Sequence, residues 1–270
     1  MAGKTIGFLG CGNIGRDVAV YAGSRLSDRV GNILLYDKDR RKALSLQKEV
    51  DDSETAGCLE DLVRRSDLVV EAAAPSAVGG VLSACVEENT DAVIISVGGI
   101  LGNETLLDKA RRSGIRVMLP SGAVCGIDGI KAASVAGIEK VSITTRKGTR
   151  SVKGAPYLRE KGIDLDSISG ETEIFRGSAA EAIRAFPKNI NVAVMLSLAG
   201  TGPDKTQVRI LVSPRFRRNS HEVRAEGPFG AITTVCENIP SPSNPKTSYL
   251  ASLSCISVLR QYFDTVRMGG

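Results

Sequence analysis

TIGFLGCGNIG, residues 5–15, joins an apolar run to a glycine-punctuated turn, and its surroundings decide how the first half of the chain folds. A helical pattern follows through Val18, Val20, Ala22 and Leu26. A second apolar run, Asn32–Tyr36, then ends at Asp37. Strand, glycine turn, helix, strand and acid, in that order, describe a dinucleotide-binding unit. Gly10 permits the tight turn, Gly12 lets a pyrophosphate approach the backbone, and Gly15 lets the helix pack close to the strand. The helix opens at Asn13 and Ile14, where its N–H groups and partial positive charge suit phosphate. Asp37 is placed to accept hydrogen bonds from the adenosine ribose hydroxyls, which favours NAD. Lys38, Arg40 and Arg41 follow it at once and can meet a 2′-phosphate, so NADP stays open.

The alternation continues through Leu68–Ala72, a helix over residues 76–88, the strand Ala92–Ser96, and a helix capped by Asn103 and stopped at Gly114. Arg116–Leu119 closes the series. Short apolar strands separated by helices predict a doubly wound parallel sheet, a Rossmann domain over residues 1–120. Ligands of such sheets bind beyond the carboxyl ends of the strands. That places Ala73, Ala74, Pro75 and the turn Val97-Gly98-Gly99 near the nicotinamide, as small groups that allow close approach.

At PSGAVCG, residues 120–126, the character changes. IEKVSITTR, ETEIFRG, TQVRILV, NSHEVRAEG and AITTVCEN read as strands, and the last three, close together, read as antiparallel neighbours. Helices are expected at about residues 178–185 and 189–200. The prediction is an α+β domain over residues 121–245 on a mostly antiparallel sheet. ENIPSPSNPKTS reads as a linker. A last helix, within about residues 246–270, is expected to pack back on the first domain.

Composition narrows the function. With 42% hydrophobic and 24% charged residues the chain is ordinary for a globular protein. Trp is absent and aromatics are few, so platforms for stacking bases are scarce and no nucleic-acid partner is expected. No apolar run of about 18 residues predicts a membrane span, and MAGKTIGFLG lacks a signal-peptide cleavage pattern. Six scattered cysteines without a CxxC predict reduced thiols and a cytoplasmic protein. One histidine and no cysteine pair at ligand spacing predict no metal site. Residues 1–120 hold 15 Lys/Arg against 17 Asp/Glu, so the positive excess lies in the second half, which suits an anionic substrate.

That histidine is His221. In a strand over residues 219–226 it shares a face with Val223 and Ala225, opposite Ser220, Glu222 and Arg224. An inward histidine is often only a packing residue. Behind a redox cofactor domain it is also a candidate proton partner for hydride transfer, with Lys and Tyr side chains as the other possible bases.

GFLGCGNIG, VISVGGILGNETLLDKARRSG, MLPSGAVCGIDGIKAAS, FPKNINVAV, SHEVRAEGPFG and NPKTSYLASLS, in this order, resemble the L-aspartate dehydrogenase family over nearly the full chain. The resemblance implies NAD(P)-dependent oxidation of L-aspartate to iminoaspartate, which hydrolyses to oxaloacetate and ammonia and can supply NAD biosynthesis. It places the catalytic histidine on His221, a cofactor-contacting asparagine on Asn191, and a cofactor contact on Cys125, where the family usually has alanine. Basic residues are then needed for the substrate carboxylates. Lys147, Lys188 and Lys246, each beside a glycine, asparagine or proline turn, are the candidates. His221 would take a proton from the substrate ammonium or position the water that attacks the imine. A homodimer joined through the second domain is expected, because an open antiparallel sheet needs cover.

Two alternatives stay open at the level of sequence. Cys125 with His221 would suit a semialdehyde dehydrogenase with a thioester intermediate. A non-enzymatic NAD(H)-binding redox sensor would need neither His221 nor an anion pocket.

Overall fold

The computed structural model describes residues 3–187, 191–242 and 244–268, without the side chains of residues 244–246. The chain forms two compact units, Met1–Pro120 with Ser252–Val266, and Ser121–Ala251 with Arg267–Gly270.

The first unit contains β1 (Lys4–Leu9), α1 (Asn13–Arg25), β2 (Val30–Tyr36), α2 (Arg40–Gln47), β3 (Ser53–Thr55), α3 (Leu59–Arg64), β4 (Leu68–Glu71), α4 (Val78–Glu87), β5 (Asp91–Ile94), α5 (Glu104–Ser113) and β6 (Val117–Met118). Its sheet runs β3-β2-β1-β4-β5-β6 with every pair parallel. This is the doubly wound Rossmann order, whose switch point lies between β1 and β4. Ile6, Phe8, Leu34, Leu35, Val69 and Val70 are almost wholly buried in it. Burying each such side chain stabilises the unit by roughly 1.5–3 kcal/mol.

Gly114 closes α5 at φ +83°, as its position after the last helical residue predicts. Asn103 differs from expectation. It occupies the N-cap position, but its side chain makes no cap hydrogen bond there. Its Nδ2 instead donates to the Gly99 carbonyl at 2.8 Å, so the preceding turn has taken up the amide.

The second unit contains α6 (Ile127–Ala136), β7 (Lys140–Lys147), α7 (Pro156–Glu160), β8 (Thr172–Ser178), α8 (Ala179–Ala185), α9 (Asn191–Ala199), β9 (Gln207–Val212), β10 (Asn219–Gly227), β11 (Gly230–Asn238), β12 (Pro240–Ser241) and β13 (Asn244–Ser248). The main sheet runs β11-β10-β7-β9-β8. The β7–β9 pair is parallel and the other three pairs are antiparallel.

Two expectations are corrected here. β9 does not neighbour β10, because β7 lies between them. β7 has no exposed residue after Lys140, whereas β11 exposes every second residue over most of its length, so β7 takes the centre and β11 the edge. The stretch read as a linker carries a small antiparallel pair, β12 with β13. The helix α6 was not expected, since Gly129 interrupts its pattern.

α10 (Tyr249–Phe263) follows. From Ser252 onward it belongs to the first unit, where Cys255, Leu259 and Tyr262 join the core around Ile6, Phe8 and Val18. No described helix is long and apolar enough to cross a membrane.

Candidate active site

In the first unit the three motif glycines stand in three different settings. Gly10 sits at φ +96°, and a Cβ there would strike the Ala72 carbonyl. A Cβ on Gly15 would strike the Gly10 carbonyl oxygen. A Cβ on Gly12 would meet nothing within 4 Å, so no protein atom explains that glycine. Open backbone at the start of α1, with no side-chain cap on the helix, fits a pyrophosphate cradle. Asn13 is exposed and Ile14 half-buried beside it.

Asp37, at the end of β2, is anchored by its neighbours. Its Oδ2 accepts from Cys11 N–H and its Oδ1 from Asp39 N–H, both at 2.9 Å. Each oxygen keeps a second lone pair for a ribose hydroxyl. Arg41, one of the cations expected to meet a 2′-phosphate, is paired with Asp39 through Nε at 3.0 Å and Nη2 at 3.1 Å.

Sequence reasoning missed Glu71, the last residue of β4, which is fully buried. Its Oε1 accepts from the N–H groups of Ala73 and Ala74 at 2.8 and 3.1 Å, and its Oε2 from Ser96 N–H at 2.9 Å. One carboxylate thus ties together the loops that leave β4 and β5. Burial pushes its pKa up, opposed by those backbone N–H groups. Pro75 opens a 3-10 turn, Pro75–Ala77, in the first of these loops. A charged residue closing an otherwise apolar strand was the available signal.

In the second unit the register draws a row of side chains across the sheet. Phe175 pairs with Ile210, Ile210 with Thr145, Thr145 with His221, and His221 with Cys236. Residues paired in this way share a face. His221 is 3% exposed, and its Nδ1 shares a hydrogen bond of 2.9 Å with the Thr145 hydroxyl. Burial, reinforced by the positive charge of Lys147, lowers the imidazole pKa to about 3. The ring is therefore neutral near pH 7.

Lys147 lies two residues beyond Thr145 on the same inward face of β7. Burial lowers its pKa to about 8. Among the described residues no carboxylate pairs with it. It lines a small pocket with Thr145, Val152, Val192, Ala193, Val208 and Ile210. Buried ammonium groups are costly unless an anion joins them, and Lys147 is the one charged side chain among the residues lining this pocket.

Residues 128–262 match the family model of the aspartate dehydrogenase C-terminal domain, and residues 10–120 that of the homoserine dehydrogenase NAD binding domain. The L-aspartate dehydrogenase of Methanococcoides burtonii is 42% identical over 268 residues, covering 98% of each chain. The chain belongs to the L-aspartate dehydrogenase family. The family's member from Nitrosopumilus maritimus is 37% identical over 272 residues, covering 98% of this chain and 99% of that one. The crystal structure of aspartate dehydrogenase from Thermotoga maritima superposes with a TM-score of 0.76 at 26% identity, covering 98% of this chain and 99% of that one. The resemblance carried by the motifs thus extends over the full length.

Within this member of the L-aspartate dehydrogenase family, the residues singled out by sequence fall into groups. Gly10, Gly12, Asn13, Ile14, Gly15, Asp37, Ala73, Ala74 and Pro75 all lie at carboxyl ends of strands in the first unit. His221 and Lys147 share the inward face of the second sheet, with Thr145, which sequence reasoning missed, beside both. Asn191 is exposed at the start of α9, next to the pocket residues Val192 and Ala193. Cys125 is exposed in its loop, and its sulfur faces Cys236 Sγ while His221 Nδ1 faces Thr145. That pairing gives no support to a Cys125–His221 nucleophile. Lys188 lies outside the described residues, as does the side chain of Lys246, whose backbone runs in β13.

Proposed function

We propose that this chain catalyses the NAD-dependent dehydrogenation of L-aspartate to iminoaspartate, which hydrolyses to oxaloacetate and ammonia. The observation that carries the reading is Lys147, a buried ammonium without a carboxylate partner among the described residues, on the same sheet face as the neutral His221. A dicarboxylate amino acid supplies the missing anion and also a proton for the imidazole. NAD, when bound, accepts the hydride from the substrate Cα.

The chain's own residues do the rest. Lys147 holds a substrate carboxylate by a charge-assisted hydrogen bond and so fixes Cα. His221 accepts a proton from the substrate ammonium. Its Nε2 is a base when Nδ1–H donates to Thr145 Oγ1, the tautomer that the 2.9 Å contact permits. Substrate carboxylates offset the Lys147 charge that depresses His221, and so strengthen the base on binding.

NAD is preferred over NADP in this reading. Asp37 repels a 2′-phosphate, and Arg41 is already engaged by Asp39. The iminoaspartate produced would supply pyridine nucleotide biosynthesis, as the family resemblance implies. The free cysteines fit a reducing, cytoplasmic setting. The second unit's sheet, whose outer face leaves Val235 58% exposed, is the surface for a homodimer. Light scattering that returned a monomer would remove the dimer from the proposal.

The deciding experiment follows NADH absorbance with L-aspartate and NAD+, for wild type and His221→Ala. We expect turnover in wild type and a loss of roughly a hundredfold or more in the variant. No NADH from wild type would overturn the activity. Near-normal turnover in a folded variant would overturn the role of His221.

A further inference from the structure

Four of the six cysteines, Cys11, Cys58, Cys85 and Cys255, lie in the first unit. The other two, Cys125 and Cys236, are 111 residues apart in sequence, yet their sulfurs stand 2.8 Å from one another. That is within about 1 Å of a disulfide bond length.

The contact is held by a frame. On β11 the alternate residues Thr234, Cys236 and Asn238 face the loop that precedes α6. Thr234 Oγ1 donates to the Cys125 carbonyl at 3.2 Å, and Asn238 Nδ2 donates to the Ala123 carbonyl at 2.9 Å. Gly122 and Gly126 bracket the loop at φ +69° and +77°. A Cβ on Gly126 would lie 2.6 Å from Thr234 Cγ2, so the loop presses directly on the strand. The loop is thus held against the strand with the two sulfurs already in contact.

The two sulfurs differ in access. Cys125 is exposed and Cys236 is half-buried. Burial, followed by the contact with Cys125, pushes the Cys236 thiol up to about 11. Cys125 is thus the sulfur that a reagent reaches first, and Cys236 the one that resolves.

We propose that Cys125 and Cys236 form a reversible dithiol–disulfide couple, and that closing it lowers the enzyme's turnover. The oxidant is a low-molecular-weight disulfide. The Cys125 thiolate attacks one of its sulfurs, the small S–S bond breaks, and one small thiolate leaves. Cys236, losing its proton, then attacks the Cys125 sulfur and expels the second small thiolate. Two protein thiols are oxidised by two electrons, and one small disulfide is reduced to two thiols. The bond fixes the loop of residues 122–126 to β11, in the row that carries His221. The effect on turnover rests on the proposed function and on the cofactor contact that the family resemblance implies at Cys125. The bond itself does not.

The test treats the full-length protein with oxidised glutathione and then measures both peptide masses and aspartate turnover. Wild type should yield a cross-linked pair of peptides containing Cys125 and Cys236, lighter by two hydrogens. Its kcat/KM for NAD+ should fall by roughly tenfold or more and return with dithiothreitol. Cys236→Ala should keep basal turnover and carry glutathione on Cys125, since no resolving thiol remains. Both cysteines still open to alkylation after treatment would overturn the couple. A cross-link with unchanged turnover would overturn the switch. Mass alone reports the bond, so a protein inactive on aspartate when reduced would refute the enzyme reading and with it the switch, while a cross-link would still establish the couple.

Discussion

The Thr145 hydroxyl meets His221 Nδ1 at 2.9 Å, between residues paired directly across β7 and β10. The hydroxyl can accept from Nδ1–H or donate to Nδ1, and the proposed base at Nε2 uses the first arrangement. Thr145→Val leaves Nδ1 without a partner, which corresponds to roughly a tenfold loss in kcat. Thr145→Ser should restore it, and KM for aspartate should hardly move in either. Equal kcat in the Val and Ser variants would refute the positioning role.

Burial of that imidazole also makes stability depend on acid. Its pKa falls from 6.5 to about 3 on folding. Well above pH 6.5 both states are neutral and nothing changes. As pH falls through 6.5 towards 3, the unfolded chain binds a proton that the folded chain refuses, so stability drops. At about pH 5 this one group costs about 2 kcal/mol. Urea midpoints at the two ends of the range should fall further for wild type than for His221→Gln. Parallel losses would show that the ring is not held neutral.

Lys147 should set the alkaline limit of anion binding. It is charged below about pH 8 and loses its proton above that value. Succinate, a dicarboxylate with no amine to oxidise, should inhibit with a constant that is flat below this pH. Above it, the constant should rise by about tenfold per pH unit. Lys147→Arg should abolish the rise, because a guanidinium stays charged. A flat profile in wild type would place the carboxylate elsewhere.

Glu71 offers a test of preorganisation away from the chemistry. Glu71→Gln keeps one carbonyl oxygen for three backbone N–H groups and turns an amide donor toward one of them. We expect a loss of about 2 kcal/mol in stability and weaker NADH binding in a fluorescence titration. Unchanged thermal midpoint and affinity would mean that the loops after β4 and β5 hold themselves.

Much of this was legible in the sequence, for reasons of range. The glycine turn, its helix and Asp37 lie within 33 consecutive residues, and each local signal agrees with the next. The inward face of His221 follows from strand alternation alone. The order of the second sheet did not, because β9 and β10 are close in sequence while the strand between them, β7, comes 60 residues earlier. Thr145 and Glu71 escaped because their importance lies in what they accept or share hydrogen bonds with, which composition does not record. Val141, Ile143, Thr145 and Lys147 do alternate inward. Thr145, a polar residue within that series two positions before Lys147, was a signal left unread. Cys125 and Cys236 meet only once the sheet exists.

α10 brings Cys255, Leu259 and Tyr262 into the core of the first unit, and Arg29 pairs there with Asp264 at 2.7 Å. Synthesis runs the other way. The ribosome makes β1 through β6 long before it makes residue 252, so the nascent Rossmann unit waits, with part of its core open, through the whole translation of the second unit. A fragment ending at residue 120 would lack that helix and leave part of the first unit's core uncovered.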